Sequence, residues 1–578
     1  MSEPAPEPRR LPDDLGHLPG VLVCVAAAVI LFANLGVVVF WGDEAETAIL
    51  ARNALHSGLP RAWDGRNLVE SLGIGFNDRL VWNQQPWLSI YLAAGSFALF
   101  GEDTTAGRIP FALAGLLTVI LTGVLVHKET RSRPQALLAM GLLTANVQFL
   151  LFARQCRYYA LLPLGVVLLL LAWRKIEEFP GAVLFGLAAA FLFHANYLAV
   201  VPTLGAFWIH ALIWRREKPV LLDLALATVL CALLTIPWAF YAEIGSTVRQ
   251  LPGLSAGEWL FRVKTYASKV SRRIIPFSFL LALFVPYVRG RLPERRLARL
   301  CVLILLAHVL FIPLAGPALV LRYAVGLFPL GAVLAASLFA ALWRWRRPVA
   351  AAVAAVFVAT HLWNALDIAA TNAVKFAVGA TDTFENRWIR EDRPRLFLRV
   401  EYLDYAREVL HGFPENPNLL LVQFVREHVK PGELVATGHD WLPLIFYTDA
   451  RIMGAWETPA DMVEIKRGIP GYVNEPWGEP VFWYLHRKNY WKALLPEILA
   501  RAERGEYRVE KFETSIPDIP HGNDPDLDSR IRQGLAGYGT IDIYRVEKVS
   551  SPASAPGVVL RPVRRSPLAG RVRPEGKG

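Results

Sequence analysis

Three carboxylates stand within four residues of one another, directly after the first long apolar stretch of the chain. That stretch covers residues 18–40, and Asp43, Glu44 and Glu46 follow it. A chain places ionisable groups next to hydrocarbon only where they are solvated, paired or functional. Asp43 is the candidate general base, because partial desolvation at the end of a span would raise the pKa of its carboxyl group. Glu44 and Glu46 add negative potential that could hold a cation or orient an acceptor.

The same residues also admit a purely structural interpretation. From Glu44 onward the sequence has a helical pattern that ends at Ser57 and Gly58, with Pro60 beyond. Asp43 could then be only the N-cap of that helix, with the acidic side chains of the first turn stabilised by the helix dipole. One residue can cap a helix and do chemistry, so the local sequence leaves both interpretations open.

The composition indicates a protein that crosses a membrane several times and also carries a soluble part. Of its 578 residues, 54% are hydrophobic and only 19% are charged, and long apolar runs recur through the first two thirds of the chain. Much of the basic excess behind the net charge of +11 falls in short loops between those runs, where basic residues orient a membrane protein. This placement predicts the lipid bilayer as a partner and argues against nucleic acid.

Hydropathy and positive charge together predict about eleven transmembrane helices. The first, 18–40, is longer than the apolar core of a signal peptide, so we expect it to be retained. The apolar piece 87–100 is short for a span and is expected to lie along the membrane surface. Lys128, Arg131 and Arg133 mark a cytoplasmic loop, which requires a single further span before it. The spans after the first are expected near 105–126, 135–152, 158–173, 181–198, 200–214, 220–241, 276–289, 299–316, 320–342 and 349–368.

These spans divide the chain into four parts. We expect a cytoplasmic tail at 1–17, a transmembrane domain at 18–371 with an extracytoplasmic loop at 41–103, an extracytoplasmic α/β domain at 372–548 and a disordered tail at 549–578. The α/β domain is predicted from strand patterns at 433–437, 507–514 and 539–546, and from helical patterns at 419–428 and 483–504, the second kinked or divided at Pro496. The protein is therefore expected in the cell membrane (the plasma or inner membrane), with a cytoplasmic N-terminus.

Five stretches in order resemble the GT-C membrane glycosyltransferases, most closely the protein O-mannosyltransferases and the bacterial aminoarabinose transferase that modifies lipid A. The first is DEAETAILARNALHSG at 43–58, which is similar to the family's DE-x-x-Y-x-x-I-A-R-x-M-L-x-x-G. The others are QQPWLSIY at 84–91 with LFG at 99–101, AGRIPFALAG at 106–115, FARQCRYY at 152–159, and Arg322-Tyr323. No single stretch is specific, but the ordered set covers residues 20–345, and its strongest matches lie between 40 and 160.

The resemblance implies the GT-C fold and transfer of a sugar from a polyprenyl-phosphate carrier to an extracytoplasmic acceptor: a lipid, a glycan or a protein. It implies that Asp43 deprotonates the acceptor hydroxyl and that the lipid phosphate leaves with inversion at the anomeric carbon, with Glu44 part of the same acidic site. The leaving phosphate needs fixed positive charge, which Arg157 and Arg322 at outward span ends would supply. Arg154, one turn before Arg157, could share its role. The alternative for these arginines is ordinary snorkelling at a helix end.

Three positions depart from the family pattern: Gln84, Gln85 and Trp87, which stands where relatives carry a second Pro. Gln84 stands where relatives often carry His or Glu, and Gln85 stands where they carry Lys. Amide side chains can bind phosphate or sugar hydroxyls, but they are poor ligands for a transition metal. We therefore expect Gln84 and Gln85 to bind substrate and not a metal, while Asp43 and Glu44 could still hold a divalent cation. No other cofactor is predicted.

His194 and Tyr197 lie at an outward turn between two predicted spans and are further candidates for substrate contact. A histidine in such a place is more often a packing residue. Two other classes of function stay open. A transporter or lipid-handling protein would also have many spans, but its charged groups should lie near the bilayer midplane on broken helices. A catalytically degenerate GT-C subunit would account for the amides at Gln84 and Gln85.

Overall fold

The computed structural model describes most of the helical part of the chain and the central part of the C-terminal region. The described residues are 18–69, 75–243, 255–289, 292, 294–316, 319–363, 366–367, 397–398, 407, 410–411, 417–438, 441–454, 468–473, 475–486, 494–518, 540–549 and 559–562. The predicted tail at 1–17 lies outside them, as do most of the predicted tail at 549–578 and most of the segment 372–416, so these predictions are not addressed further.

The chain forms two compact units, and each is built from more than one segment. The first unit contains Met1–Ala62, Gly75–Phe413 and Asn523–Ile531, and the second contains Trp63–Ile74, Pro414–Gly522 and Arg532–Gly578. The segment Trp63–Ile74 therefore belongs to the second unit, although it lies in the loop that follows the first apolar helix. No sequence feature predicted that this segment belongs to the second unit.

The first unit is helical because its apolar runs are long and contain few residues that end helices. Its first ten helices are α1 (Leu18–Phe32), α2 (Gly42–Ser57), α3 (Leu88–Phe100), α4 (Thr104–Thr130), α5 (Arg133–Thr144), α6 (Val147–Ala153), α7 (Leu161–Trp173), α8 (Phe179–Ala195), α9 (Tyr197–Trp214) and α10 (Lys218–Tyr241). Further helices are Ala256–Arg273, Phe277–Val288, Arg295–Ala315, Phe328–Trp345 and Arg347–Phe357, with 3₁₀ turns at Tyr158–Ala160 and Leu321–Leu327.

Five of these helical segments are long and apolar enough to cross a membrane, judged among the described residues by length and composition. They are α4, α9, α10, Arg295–Ala315 and Leu321–Trp345, and the number rises to seven if each of two bent helix pairs forms one span. Shorter apolar helices include α1, α3 and α8. The mostly helical fold with apolar spans is as predicted, while the number of about eleven spans stays a prediction.

Two predicted spans are broken helices. The span expected at 135–152 consists of α5 and α6, which meet at an angle of 69°. Asn146 ends the straight path, because its side chain accepts a hydrogen bond from the Phe149 amide and so begins a new helix. The helices Ala256–Arg273 and Phe277–Val288 likewise meet at 76°, with Pro276 as the N-cap of the second. The first apolar helix also ends earlier than expected, at Phe32 rather than near Phe40.

The helices pack closely where small residues let two backbones approach. At Gly186 of α8, an added Cβ would lie 2.8 Å from the backbone oxygen of Ala227 in α10 and 2.9 Å from a side-chain carbon of Leu230. A backbone oxygen cannot move aside as a side-chain tip can, so this position tolerates no methyl group without a shift of a helix. Gly205 in α9 offers a matched contrast, since nothing lies within 4 Å of its Cβ position.

The second unit contains a six-stranded mixed sheet in the order β4-β3-β5-β7-β6-β8. Its strands are β3 (Leu434–Thr437), β4 (Arg451–Gly454), β5 (Val481–His486), β6 (Tyr507–Pro517), β7 (Thr540–Lys548) and β8 (Val559–Pro562), while the first unit holds the antiparallel pair β1 (Leu366–Asp367) and β2 (Phe397–Leu398). The helices Pro417–His428, Trp441–Tyr447 and Leu495–Glu503 accompany the large sheet. The expected strands at 433–437, 507–514 and 539–546 and the helix at 419–428 are confirmed.

The predicted helix at 483–504 is wrong over its first part. Val481–His486 forms β5, a central strand that pairs with β3 on one side and β7 on the other. Four consecutive residues of β5 are buried because both faces of the sheet are covered there, and such a continuous apolar run has no strand periodicity to read. The helix begins only at Leu495, with Pro496 in its first turn, where proline is tolerated.

We predict that Gly186→Ala lowers the stability of the first unit, because the new methyl group forces α8 away from α10. The expected loss is about 1–3 kcal/mol. Thermal unfolding of the purified protein in detergent measures it. The control is Gly205→Ala, which should leave the melting temperature unchanged or raise it slightly, since alanine favours a helix over glycine. Equal melting temperatures for the two variants would contradict the close packing at Gly186.

Candidate active site

The three carboxylates lie in the first turns of α2, which begins at Gly42. The N-cap is Trp41, in an extended conformation and without a side-chain capping bond. The Trp41 indole donates a hydrogen bond to the side chain of Gln155. The interpretation of Asp43 as the N-cap is therefore wrong, because Asp43 already lies inside the helix. The predicted end of the helix is confirmed, since Gly58 has φ of +76° and its amide donates to the oxygen of Ala54.

The Asp43 carboxylate receives two hydrogen bonds at one oxygen. The Tyr159 hydroxyl donates to Oδ2 at 2.7 Å, and Nη1 of Arg322 donates to the same oxygen at 2.6 Å. The side chains of Asp43 and Arg322 are each 25% exposed, more than those of the other carboxylate–arginine pairs of α2. The Asp43 carboxylate is thus bound by a guanidinium and a hydroxyl group at an accessible place.

Arg157 binds the same turn of α2 at three oxygens. Its Nη1 lies 2.5 Å from Oε1 of Glu46, 2.9 Å from Oγ1 of Thr47 and 3.0 Å from the backbone oxygen of Asp43. Burial alone would lower the pKa of Arg157, but Glu46 and Asp43 outweigh it and the pKa is raised. Burial raises the pKa of Glu46, against the opposing effect of Arg157. Arg157 thus stays charged and fixes the helix start.

Glu44 has a different environment from Asp43, although the two are adjacent in sequence. Its side chain is fully buried and accepts hydrogen bonds from Arg108 at both oxygens, at 2.7 Å from Nε and 2.6 Å from Nη2. Oε1 also accepts from the backbone amide of Cys156 at 2.8 Å. Arg108 further donates to the oxygens of Leu35 and Val38 at 2.7 Å each. Glu44 therefore ties α2 to α4 and to the chain before α2.

Arg154 contacts the end of α1 and not the acidic cluster. Its guanidinium donates to the backbone oxygens of Leu31 at 3.0 Å and Ala33 at 2.7 Å, and also to Ile30. These are carbonyl groups at the end of α1, which a helix leaves without partners. The contacts of Arg154 are those of a residue that ends α1, and none of them is with Asp43 or Arg322.

The remaining predicted site residues form a second group, near the start of α3. Gln84 is exposed, and its backbone oxygen accepts a hydrogen bond from the Tyr197 hydroxyl at 3.4 Å. Gln85 is buried, and among the described residues neither atom of its amide has a hydrogen-bond partner. The Nε2 atom of His194 is hydrogen-bonded to the backbone oxygen of Leu234 at 3.2 Å, and the imidazole ring packs edge-on against Trp238. Only the contact of Tyr197 with Gln84 joins members of this group.

The described residues offer a poor site for a metal ion. No group of three or more His, Cys, Asp and Glu side chains comes together within them. Asp43 and Glu44, the pair that could have held a divalent cation, are instead bound to different arginines, Arg322 and Arg108. A carboxylate that already neutralises a guanidinium has little charge left for a cation, so these residues do not fit a resident metal.

Two residues of the cluster were not predicted from the sequence. Tyr159 and Arg108 both lie in stretches that carry the family resemblance, at 152–159 and 106–115. The resemblance marked those stretches but did not distinguish the tyrosine that faces Asp43, or the arginine that pairs with Glu44. The sequence separation of 64 residues between Glu44 and Arg108 leaves no local pattern from which the pair could be read.

The fold matches solved structures of one bacterial protein. The crystal structure of ArnT from Cupriavidus metallidurans in the apo state aligns with a TM-score of 0.57 and 16% identity, covering 85% of this chain and 95% of that chain. The structure of ArnT bound to undecaprenyl phosphate aligns with a TM-score of 0.56 and 15% identity, covering 93% of this chain and 99% of that chain. No family model and no curated protein matches the sequence. The likeness establishes the fold, which is the GT-C fold implied by the sequence resemblance.

We predict that Arg108→Ala strongly destabilises the first unit, because it leaves the Glu44 carboxylate buried without its counter-ion. Breaking a buried ion pair from one side costs about 3–5 kcal/mol. The loss should appear as a large fall in melting temperature in detergent. The control is Lys175→Ala, which removes the partner of Glu178 in an exposed ion pair that is worth about 0–1 kcal/mol. If both variants melt at the same temperature, Glu44 does not hold α2 in place.

Proposed function

We propose that the protein is a glycosyltransferase that moves a sugar from a polyprenyl-phosphate carrier to an extracytoplasmic acceptor, a lipid, a glycan or a protein. Three things support this: the GT-C fold, the ordered motif resemblance, and one cluster in which the partly exposed Asp43 carboxylate binds Arg322 while Arg157 binds Glu46 and the backbone oxygen of Asp43. The single observation that carries the proposal is the contact of Arg322 with Asp43 at 2.6 Å. It puts a candidate base beside a cation that a phosphate leaving group requires.

In the proposed reaction, the Asp43 carboxylate takes the proton of the acceptor hydroxyl. The acceptor oxygen then attacks the anomeric carbon from the face opposite the carrier. The bond between that carbon and the phosphate oxygen breaks, its electron pair goes to the phosphate, and the configuration inverts. The products are the glycosylated acceptor and polyprenyl phosphate. A positioned general base of this kind contributes a rate factor of about 10²–10⁴.

The two arginines have different parts in this proposal. Arg157 is mostly buried and makes three contacts with α2, so it is the residue that fixes Asp43 through the backbone. Arg322 is 25% exposed and reaches the carboxylate itself. When Asp43 takes the proton of the acceptor, its carboxylate no longer neutralises Arg322, and the guanidinium can stabilise the phosphate that leaves from the opposite face of the sugar. We therefore assign Arg322 to the leaving phosphate and Arg157 to the position of the helix.

The ligand bound in the second ArnT structure supports the choice of donor. That protein is bound to undecaprenyl phosphate, and we infer the same class of lipid for this chain. Two residues depart from the family pattern in a way that concerns this lipid. Gln84 and Gln85 offer amides and no cation, so the positive charge at the phosphate would come from Arg322 to a greater extent than in relatives with a lysine at position 85.

We predict that Asp43→Asn abolishes sugar transfer while the protein still folds. Asparagine keeps the size and can still accept from Tyr159 but cannot take a proton. Mass spectrometry of envelope glycolipids and glycoproteins, compared between cells with the wild-type gene, without it and with the variant, measures the product. Transfer should fall by about 10²–10⁴. The control is Asp103→Asn, at the exposed N-cap of α4, where asparagine caps equally well. Wild-type levels of product with Asp43→Asn would remove Asp43 from the mechanism.

We further predict that Arg322→Gln and Arg157→Gln fail in different ways. Arg322→Gln should weaken binding of undecaprenyl phosphate by about tenfold or more, because it removes a charge-assisted hydrogen bond worth about 1.5–3 kcal/mol. Arg157→Gln should instead lower the melting temperature, because it leaves Glu46 buried without its partner. Fluorescence titration with undecaprenyl phosphate and thermal unfolding separate the two effects. Unchanged lipid binding in Arg322→Gln would favour the transporter or degenerate-subunit alternatives over the proposed donor site.

A further inference from the structure

The first loop of the helical unit sends its tip into the second unit. The chain leaves the first unit after Ala62 and returns to it at Gly75. Within the described part of this tip, Trp63–Val69, four residues contact the region around β4. These are Trp63, Arg66, Asn67 and Val69. The loop tip is therefore held by the sheet unit, while both of its ends lead back to the unit that carries Asp43.

Asn67 makes the central contact of the tip. Its side chain is fully buried, and its Oδ1 accepts a hydrogen bond from the backbone amide of Ile452 at 2.7 Å. Its Nδ2 donates to the backbone oxygen of Ala450 at 3.2 Å. The amide side chain thus offers β4 the acceptor and donor that a neighbouring strand would offer. β4 is an edge strand of the sheet, and backbone groups at a buried edge require such partners.

Three further contacts hold the same tip. Oδ1 of Asp64 accepts from the backbone amides of Arg66 at 2.8 Å and Asn67 at 2.6 Å, which shapes the turn that presents Asn67. The Trp441 indole donates to the backbone oxygen of Val69 at 3.2 Å. Trp63 packs edge-on against Tyr472, with ring centroids 6.0 Å apart. The tip is therefore fixed at both ends as well as at Asn67.

The stems of this loop are tied to the helix that carries the candidate base. Backbone bonds link the two stems, from Ala62 N to Leu80 O at 2.7 Å and from Trp82 N to Pro60 O at 2.9 Å. Asn53 of α2 donates from Nδ2 to the backbone oxygen of Arg61 at 2.8 Å. Gln84 and Gln85 follow the second stem directly. A displacement of the loop would therefore act on α2 at one end and on the predicted substrate-binding amides at the other.

We propose that Asn67 is a positioning residue for sugar transfer, through which the sheet unit sets the conformation of the loop between α2 and α3. The inference rests on the proposed function for its effect on turnover, but the docking of the loop does not. Asn67 touches no substrate in this proposal. It holds the loop so that Gln84, Gln85 and the start of α2 keep their geometry, and the sheet unit thereby gains control over transfer without contributing a reacting group.

The test compares Asn67→Ala with Arg66→Ala in the full-length protein. Arg66 is the adjacent residue, and it contacts Asp449 at the surface only. Hydrogen exchange measures the docking, and the same envelope mass spectrometry measures the product. For Asn67→Ala we expect faster exchange at 61–69 and 450–454 and a fall in transfer of about 10- to 100-fold, since small misplacements of a site have effects of this size. Binding of undecaprenyl phosphate should stay within about twofold, and Arg66→Ala should resemble the wild type.

The outcomes separate this inference from the proposed function. Faster exchange with unchanged transfer would show that Asn67 has a structural role only and would overturn the inference. Unchanged exchange would show that Asn67 does not hold the loop, which also overturns it. Wild-type product with Asp43→Asn would instead overturn the proposed function and leave the exchange result standing. If Asn67→Ala does not fold, Trp441→Phe removes the indole bond to Val69, and the same changes in exchange and transfer are expected at a smaller size.

Discussion

The start of α2 is held by three ion pairs, and the rest of the site depends on them. Asp43, Glu44 and Glu46 each bind an arginine from a different part of the chain: Arg322, Arg108 and Arg157, respectively. Removing a charge from water is costly, so each buried carboxylate requires its partner. The exposure of the carboxylates rises from 0% in Glu44 to 9% in Glu46 and 25% in Asp43. The buried ion pairs of Glu44 and Glu46 hold the helix in place, while the Asp43 carboxylate is accessible.

The sequence predicted the parts of this arrangement that depend on local pattern. The acidic start of α2, its end at Ser57 and Gly58, and most of the long helices follow from apolar periodicity and from residues that end helices. The arginine partners of the carboxylates could not be predicted from such local patterns. Whether Arg154 or Arg157 reaches the acidic cluster depends on the turn between α6 and the 3₁₀ segment Tyr158–Ala160, where only two residues separate the arginine that binds the α1 carbonyls from the arginine that binds Glu46. A resemblance of motifs marks both arginines alike.

The strands of the second unit were predicted only in part. The strand β6 contains both buried and exposed residues, and it was predicted together with β3 and β7. β5 was read as a helix because a strand covered on both faces is apolar throughout. That Trp63–Ile74 belongs to this unit could not be predicted either, because it depends on long-range contacts, of which the Asn67 side chain makes the central one. An asparagine in a loop rich in Gly, Asp and Asn carries no signal that it will pair with a strand edge 385 residues later.

The choice of an asparagine for that contact has a physical reason. A backbone segment added beside β4 would extend the sheet and would fix many loop residues in an extended conformation, at an entropic cost of about 1–2 kcal/mol for each. A single amide side chain supplies one donor and one acceptor at fixed separation, so it satisfies Ile452 and Ala450 while the loop backbone stays free to turn at Asp64. The edge strand is covered without a further strand, and the loop keeps the curvature that returns it to Gly75 and on to Gln84. The same contact therefore completes the sheet edge and holds the tip of the loop within the second unit.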